Sequence, residues 1–380
     1  MGRTVAAALV VAVLAAAASS AAWADSPPPV AARAAIVANG ASGEVLWEEN
    51  ADRRVAIASI TKLMTVLVAL EQARPNAVVT VAPQATIVGE SSIYLVPGEQ
   101  LPLRDLIGAA LVQSANDAAY AIATYVGGGD VDRFVDLMNA EAQRLGLRDT
   151  HFVRPDGLDV AGHYSSTRDV LTLARVAMRK PVVRHFVRMR RARIAGGRTL
   201  STWNDLLGTY AGTIGVKTGH TAAAGWSEVA AARRTGVTIY AVILGSPSRG
   251  RRNDDLASLL DWGFSQYVRV PVISTDHVYA TAGVPYGGAR VRLSAAEPAY
   301  AVVRVGQPLV ETVVAPAMLD LPVVAGHTYG RVCVRSERKS LGCRPLLAAD
   351  DVAALGLVER VGWYAGRAWH HAGELLGSVF

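Results

Sequence analysis

Ala58-Ser59-Ile60-Thr61-Lys62-Leu63-Met64-Thr65-Val66-Leu67-Val68-Ala69-Leu70 is the stretch around which the chain is organised. After Ser59 the apolar residues Leu63, Val66, Leu67 and Leu70 recur at helical spacing, so the run reads as a buried helix with the serine in its first turn. Lys62, three residues on, rises on the same face about one turn away. A serine is a weak nucleophile until a neighbouring base takes its proton, and a desolvated lysine with a lowered pKa is such a base. Ser-x-x-Lys alone is a common spacing. Ser336-Glu337-Arg338-Lys339 repeats it in a charged, turn-like segment with no apolar helix behind it.

Two further segments supply context. Leu103 to Gln113 reads as an apolar helix, followed by the break Ser114-Ala115-Asn116-Asp117 and by renewed helical character from Ala118 to Tyr125. Gly127-Gly128-Gly129 stops that helix, and Asp130 caps the next one, with Val131, Phe134, Leu137, Met138 and Leu145 on its apolar face. Ala34 to Ala38 and Glu44 to Trp47, separated by Asn39-Gly40-Ala41-Ser42-Gly43, read as a hairpin ahead of the Ser59 helix. Late strands run from Thr213 to Lys217-Thr218-Gly219, from Gly225 to Ala232 and from Val237 to Leu244, the last two joined by the turn Arg233-Arg234-Thr235-Gly236. A closing helix covers Asp254 to Phe264. One antiparallel sheet packed by helices accommodates these elements, an α+β arrangement.

Ser59-Ile60-Thr61-Lys62, Ser114-Ala115-Asn116 and Lys217-Thr218-Gly219 therefore occur in order, opening a helix, breaking a helix and ending a strand. Together they are the signature of penicillin-binding proteins and class A β-lactamases. With Thr218-Gly219-His220-Thr221, Pro155-Asp156-Gly157-Leu158-Asp159, Gly162-His163 and Leu259-Leu260-Asp261-Trp262-Gly263-Phe264, the chain resembles the low-molecular-mass penicillin-binding proteins, the serine D-alanyl-D-alanine carboxypeptidases of peptidase family S11. The resemblance implies a β-lactamase/transpeptidase-like catalytic domain and a substrate that is a peptidoglycan stem peptide ending in D-Ala-D-Ala. It implies β-lactam antibiotics as covalent inhibitors, with no cofactor and no metal. It makes Ser59 the acylated nucleophile, Lys62 its general base and Ser114 the proton relay to the leaving D-alanine. Asn116 would hold the substrate amide and Lys217 would supply positive potential. Thr218, Gly219 and Thr221 would bind the substrate backbone and terminal carboxylate, and the backbone N–H groups of Ser59 and His220 would hold the oxyanion. Arg252 is the arginine assigned to the carboxylate, out of Arg249, Arg251 and Arg252. Ser91 and Ser92 match a serine pair lining the family's cleft.

A class A β-lactamase would also need a deacylating glutamate followed by an asparagine. Residues 151 to 159 contain no Glu-x-x-x-Asn, so β-lactams should acylate Ser59 and leave slowly. A wall-binding scaffold with a dead site would not need the intact triad. A metallopeptidase is disfavoured because the eight histidines include no helical His-x-x-x-His pair.

At 380 residues and 51% hydrophobic side chains the chain is long enough for two or three units. Residues 1–24 have a basic start, an uncharged apolar run and Ala22-Trp23-Ala24, the pattern of a cleavable export signal. The catalytic domain is expected over 25–268 and a small all-β domain over 269–349, where short strands alternate with recurring Gly and Pro. Over 350–380 an amphipathic helix is expected, with Val358, Val361, Ala365, Ala368, Trp369, Ala372, Leu376 and Val379 on one stripe. That helix could lie on a membrane surface, which would make the enzyme peripheral on the outer face of the cytoplasmic membrane. The net charge of +6 falls to +5 without Arg3, and much of it clusters between Arg179 and Arg198. For an exported chain this reads as a solvated face rather than a nucleic-acid site. Cys333 and Cys343 flank a polar turn, where a disulfide across a hairpin suits an oxidising compartment.

Overall fold

The structure is a computed structural model that describes residues 7–14, 26–286, 288–337 and 339–365. These fall into two compact units, a first of residues 26–266 and a second that joins residues 7–14 to those from 267 onward.

The first unit contains a five-stranded antiparallel sheet. Its strands are β1 (Ala34–Asn39), β2 (Val45–Glu49), β3 (Thr213–Thr221), β4 (Gly225–Arg234) and β5 (Val237–Ser246). Their order across the sheet is β2-β1-β5-β4-β3, so the strand carrying Lys217-Thr218-Gly219 is at an edge. β1 and most of β4 and β5 are buried runs without polar alternation, because both sheet faces are covered. Ile36, Ala38, Val229, Ala231, Tyr240 and Val242 face the helical core. Side chains of opposite parity, such as Val37 and Ile239, lie against Gly263, where a Cβ would come within 2.7 Å of Ile239. Gly263 belongs to the helix Arg249–Ser265, which begins earlier than the sequence pattern indicated because Ser248 caps it, accepting from the Arg251 N–H.

Helix α1 (Lys62–Gln72) runs through the helical core and is buried from Lys62 to Ala69. Ser59 lies just ahead of it, on a 3-10 turn spanning Ala58–Thr61. The Leu103 helix is α-helical over Leu103–Gly108 and widens to a π-helix over Ala109–Gln113, ending at Ser114. Helix α2 (Asn116–Val126) follows, and Asp130 caps the next helix by accepting from the N–H groups of Asp132 and Arg133.

The second unit is built around an antiparallel sheet with its own core of Val291, Leu293, Val313, Val332, Val334 and Leu346. Cys333 and Cys343 face each other across the hairpin Thr328–Ser336/Lys339–Ala348 and are disulfide-bonded. The same hairpin contains the second Ser-x-x-Lys spacing, with Ser336 paired to Lys339 across its turn. Two features differ from the sequence reading. Ala7–Leu14, placed within the export signal and left out of the fold, pairs antiparallel with Leu309–Pro316. An apolar run of this composition can satisfy an open sheet edge in strand form. The tail is not helical over residues 350–356, where Val352 instead bridges to Val323; the helix begins at 357. Val358, Val361 and Tyr364 on it are exposed. The remainder of the proposed stripe, from Ala368 to Val379, lies outside the described residues. No helix among the described residues is long and apolar enough to cross a membrane.

Candidate active site

The nucleophile turn is fixed from three sides. In a 3-10 turn side chains three apart eclipse, and Lys62 Nζ sits 2.7 Å from Ser59 Oγ. Nζ also lies 2.7 Å from Asn116 Oδ1 and 2.8 Å from the Asp156 carbonyl. Lys62 is completely buried, and desolvation lowers its pKa from 10.5 to about 7, against the opposing pull of Asp156 and Glu90. A neutral amine has two N–H donors and one lone pair. Asn116 Oδ1 and Asp156 O take the two donors, which leaves the lone pair for the Ser59 hydroxyl. The lysine is thereby set up as a proton acceptor.

Gly219 on β3 packs against this turn. A Cβ there would lie 2.7 Å from the Ile57 carbonyl and 3.1 Å from the Ser59 nitrogen, so glycine is needed for the strand to approach the nucleophile. On the other side Gly157, at φ +86°, approaches Ala58 so closely that a Cβ would be 2.0 Å from its carbonyl oxygen. Two more bonds anchor the 151–165 loop: Thr65 donates to the Pro155 carbonyl, and Thr61 Oγ1 lies 2.7 Å from His163 Nε2. His163 Nδ1 accepts from the Val153 N–H, which assigns the proton to Nε2. Burial lowers the His163 pKa to about 4, so the ring is neutral and structural.

Ser114 ends the π-helix in the left-handed region, φ +65°. Its Oγ accepts from Lys217 Nζ at 2.9 Å, and Nζ also donates to the Thr218 carbonyl at 2.8 Å. Ala58, beside the nucleophile, has positive φ as well. Such backbone states in residues other than glycine cost about 1–3 kcal/mol each and concentrate at functional sites. Burial, reinforced by nearby Lys62, holds the Lys217 pKa well below its ordinary value.

A cleft of about 390 Å³ is lined by Ser59, Ser114, Asn116, Thr218, Gly219, His220, Arg249 and Arg252, among others. Helix geometry separates the three candidate arginines. Arg249 and Arg252, three apart, both reach the cleft. Arg251 turns away and pairs with Asp255 at 2.8 Å. Thr221 is absent from the lining; its hydroxyl donates to Asp159 at 2.6 Å. Asn116 donates one Nδ2 hydrogen to the Gly89 carbonyl at 2.9 Å while its Oδ1 positions Lys62. Ser91 lines the cleft, whereas Ser92 donates to Asp117. The sequence reading assigned no role to Asp156, which acts on Lys62 through a backbone carbonyl. It also missed the aromatic frame: His220 stacks on Trp226 with ring centroids 3.9 Å apart, and Trp203 lines the cleft beside Arg249. Among the described residues no group of acidic, histidine or cysteine side chains could hold a metal.

The comparisons agree with this geometry. The profile of the D-alanyl-D-alanine carboxypeptidase family Peptidase_S11 matches residues 21–248. The D-alanyl-D-alanine carboxypeptidase DacC of Escherichia coli is 31% identical over 373 residues, covering 92% of this chain and 90% of its own. The Streptomyces K15 DD-transpeptidase structure superposes with a TM-score of 0.60 at 32% identity, covering 63% of this chain and 99% of its own. Penicillin binding protein 5 from Haemophilus influenzae gives a TM-score of 0.62 at 26% identity, covering 87% of this chain and 99% of its own. With a profile match across more than half its length and the serine, lysine and strand motifs gathered in one cleft, the chain belongs to the S11 family of serine D-alanyl-D-alanine carboxypeptidases.

Proposed function

We propose that this cleft removes the terminal D-alanine of peptidoglycan stem peptides through an acyl-enzyme on Ser59. The observation that carries the reading is the buried Lys62 amine 2.7 Å from Ser59 Oγ, with its pKa lowered to about 7. Ser59 Oγ attacks the carbonyl carbon of the penultimate D-alanine as its proton passes to Lys62 Nζ. The oxyanion is held by the N–H groups of Ser59 and His220. As the tetrahedral intermediate collapses, the C–N bond breaks and the leaving amine takes a proton relayed through Ser114 Oγ, which Lys217 orients. Water then hydrolyses the ester and releases the shortened peptide. Thr218 and Gly219 align the substrate backbone, and Arg252, with Arg249 beside it, attracts the terminal carboxylate.

A β-lactam carries its reactive amide and carboxylate in a comparable arrangement and acylates the same serine. Nothing in the 154–159 loop is free to activate water against the adduct. Asp156 is paired with Arg154, and Asp159 accepts from Thr221 and from the Ala223 N–H. A labelled penicillin should therefore stay attached to the protein, and Ser59→Ala should abolish both the label and D-alanine release from an acyl-D-Ala-D-Ala peptide. Rapid turnover of the drug with no trapped adduct would overturn this reading in favour of a β-lactamase.

The export signal at 1–24 would deliver the catalytic and β domains outside the cytoplasmic membrane, its removal taking the Ala7–Leu14 strand from the edge of the second sheet, and the tail from residue 351 would hold them on its outer face. The exposed Val358, Val361 and Tyr364 support the second step. Deleting 351–380 should move the protein from the membrane fraction to the soluble one; an unchanged distribution would refute the anchor.

A further inference from the structure

Behind Thr218, in the neighbouring strand, is a carboxylate with no assigned task. Glu228 on β4 pairs in register with Thr218 of β3 and has no exposed surface. Its Oε2 lies 3.1 Å from Arg252 Nε, an ion-pair separation. Neither carboxylate oxygen is hydrogen-bonded by any of the described residues. Arg252 is itself 1% exposed. Its Nε and Nη2 reach Asn253 Oδ1, at 3.1 and 2.6 Å, and Nη2 lies 3.4 Å from Asp205 Oδ2. Asp205 also takes both ends of the Arg249 fork. The charged groups facing Glu228 are thus Arg252 and Arg249 from the helix Arg249–Ser265, Asp205 from the loop before β3, and Lys217 from β3.

We propose that Glu228 is a positioning and charge-setting residue for substrate recognition, governing how strongly Arg252 binds the terminal carboxylate of the peptide. A buried ion pair with no hydrogen bond to complete it is a poor device for stability. An anion placed behind a guanidinium instead opposes the attraction the guanidinium offers to a second anion in front. While Glu228 is ionised, Arg252 is largely balanced and its hold on the substrate is weak. Once Glu228 is protonated, Asp205 at 3.4 Å is the counter-charge that stays on this guanidinium, and more of its positive potential reaches the cleft. Burial raises the Glu228 pKa to about 7, so the exchange falls near neutral pH. By linkage, an anionic substrate in the cleft favours the protonated acid as strongly as the protonated acid favours the substrate.

The proposal rests on the reading that Arg252 receives the substrate carboxylate, and its effect is on affinity rather than on the Lys62-dependent chemical step. The test uses the full chain and compares an acyl-D-Ala-D-Ala peptide with its C-terminal amide across pH 6 to 8.5. KM for the acid, relative to the apparent affinity for the amide, should rise about tenfold over that range, the scale of one unit of coupling between buried charges. Glu228→Gln should flatten the ratio and hold KM for the acid at the low-pH value. A flat ratio in the wild-type protein, or one that persists in Glu228→Gln, overturns the proposal. If Glu228→Gln does not fold, Glu228→Asp takes its place, and a pH profile of the ratio identical to the wild type in that variant likewise overturns the proposal. Hydrolysis with a flat ratio removes only Glu228's role, whereas failure to hydrolyse either peptide or to bind penicillin removes the functional reading and this proposal with it.

Discussion

Lys62 shows how a single side chain changes character through its surroundings. In water its amine would be protonated at neutral pH and useless as a base. Completely buried, it is driven toward the neutral form by desolvation, and Asn116 and Asp156 accept the two N–H groups that form retains. The acylation rate should therefore fall about tenfold per pH unit below about 7 and level off above it, because only the neutral amine can take the serine proton. Rapid-quench measurement of labelled-penicillin attachment against pH checks this. Lys62→Arg should lower the rate by about a thousandfold or more at every pH, since a guanidinium does not deprotonate in this range. A variant retaining the basic limb would place the proton acceptor elsewhere.

At the scale of elements, the 151–165 loop is the support on which the nucleophile turn rests. Gly157→Ala would put a methyl group 2.0 Å from the Ala58 carbonyl at a backbone φ of +86°. The expected loss is about 2–4 kcal/mol of stability, with slowed acylation as the Asp156 carbonyl moves off Lys62. Thermal unfolding alongside the acylation rate measures both. An unchanged melting temperature would show that the loop does not press on the turn. His163 ties the same loop to Thr61 in its neutral form. Its folded pKa, about 4, lies below the unfolded value of 6.5, so protonation favours the unfolded chain. The His163 contribution is intact above pH 6.5 and is lost as pH falls toward 4, by about 3 kcal/mol in all. Urea unfolding of wild type and His163→Gln at pH 7 and pH 4 should show a pH loss smaller by about that amount in the variant.

Much of this arrangement was legible from side-chain types and their periods. The apolar stripe after Ser59 placed α1, the polar break at Ser114 interrupted two helices, and buried runs marked β4 and β5. What was hidden depends on backbone groups or on exact phase. The Asp156 carbonyl has no residue signature, because any side chain could stand above it. The choice among Arg249, Arg251 and Arg252 needed the position of the Ser248 cap, since one residue of phase exchanges cleft for solvent. Glu228 gave no pattern at all, being one acid within an apolar strand whose partner lies on a distant helix. The strand formed by Ala7–Leu14 went unread because a short apolar run fits both an export signal and a sheet edge.

For the molecule as a whole, every side chain assigned to the reaction lies between Ser59 and Arg252, inside the first unit. That unit has its own core, running from Ile36 through Leu244, while the second unit is organised around Val291, Leu293 and Val332. Chemistry and fold stability of the first unit should then be separable from the rest. A chain ending at Gln266 should fold, attach labelled penicillin at a rate within about twofold of the full-length protein, and keep the melting transition of the catalytic unit. Calorimetry of the full chain should in turn resolve a second transition that is missing from the shortened one. Aggregation of the shortened chain, or a more than tenfold slower acylation, would show that the β unit is needed to hold the serine, lysine and strand edge in register.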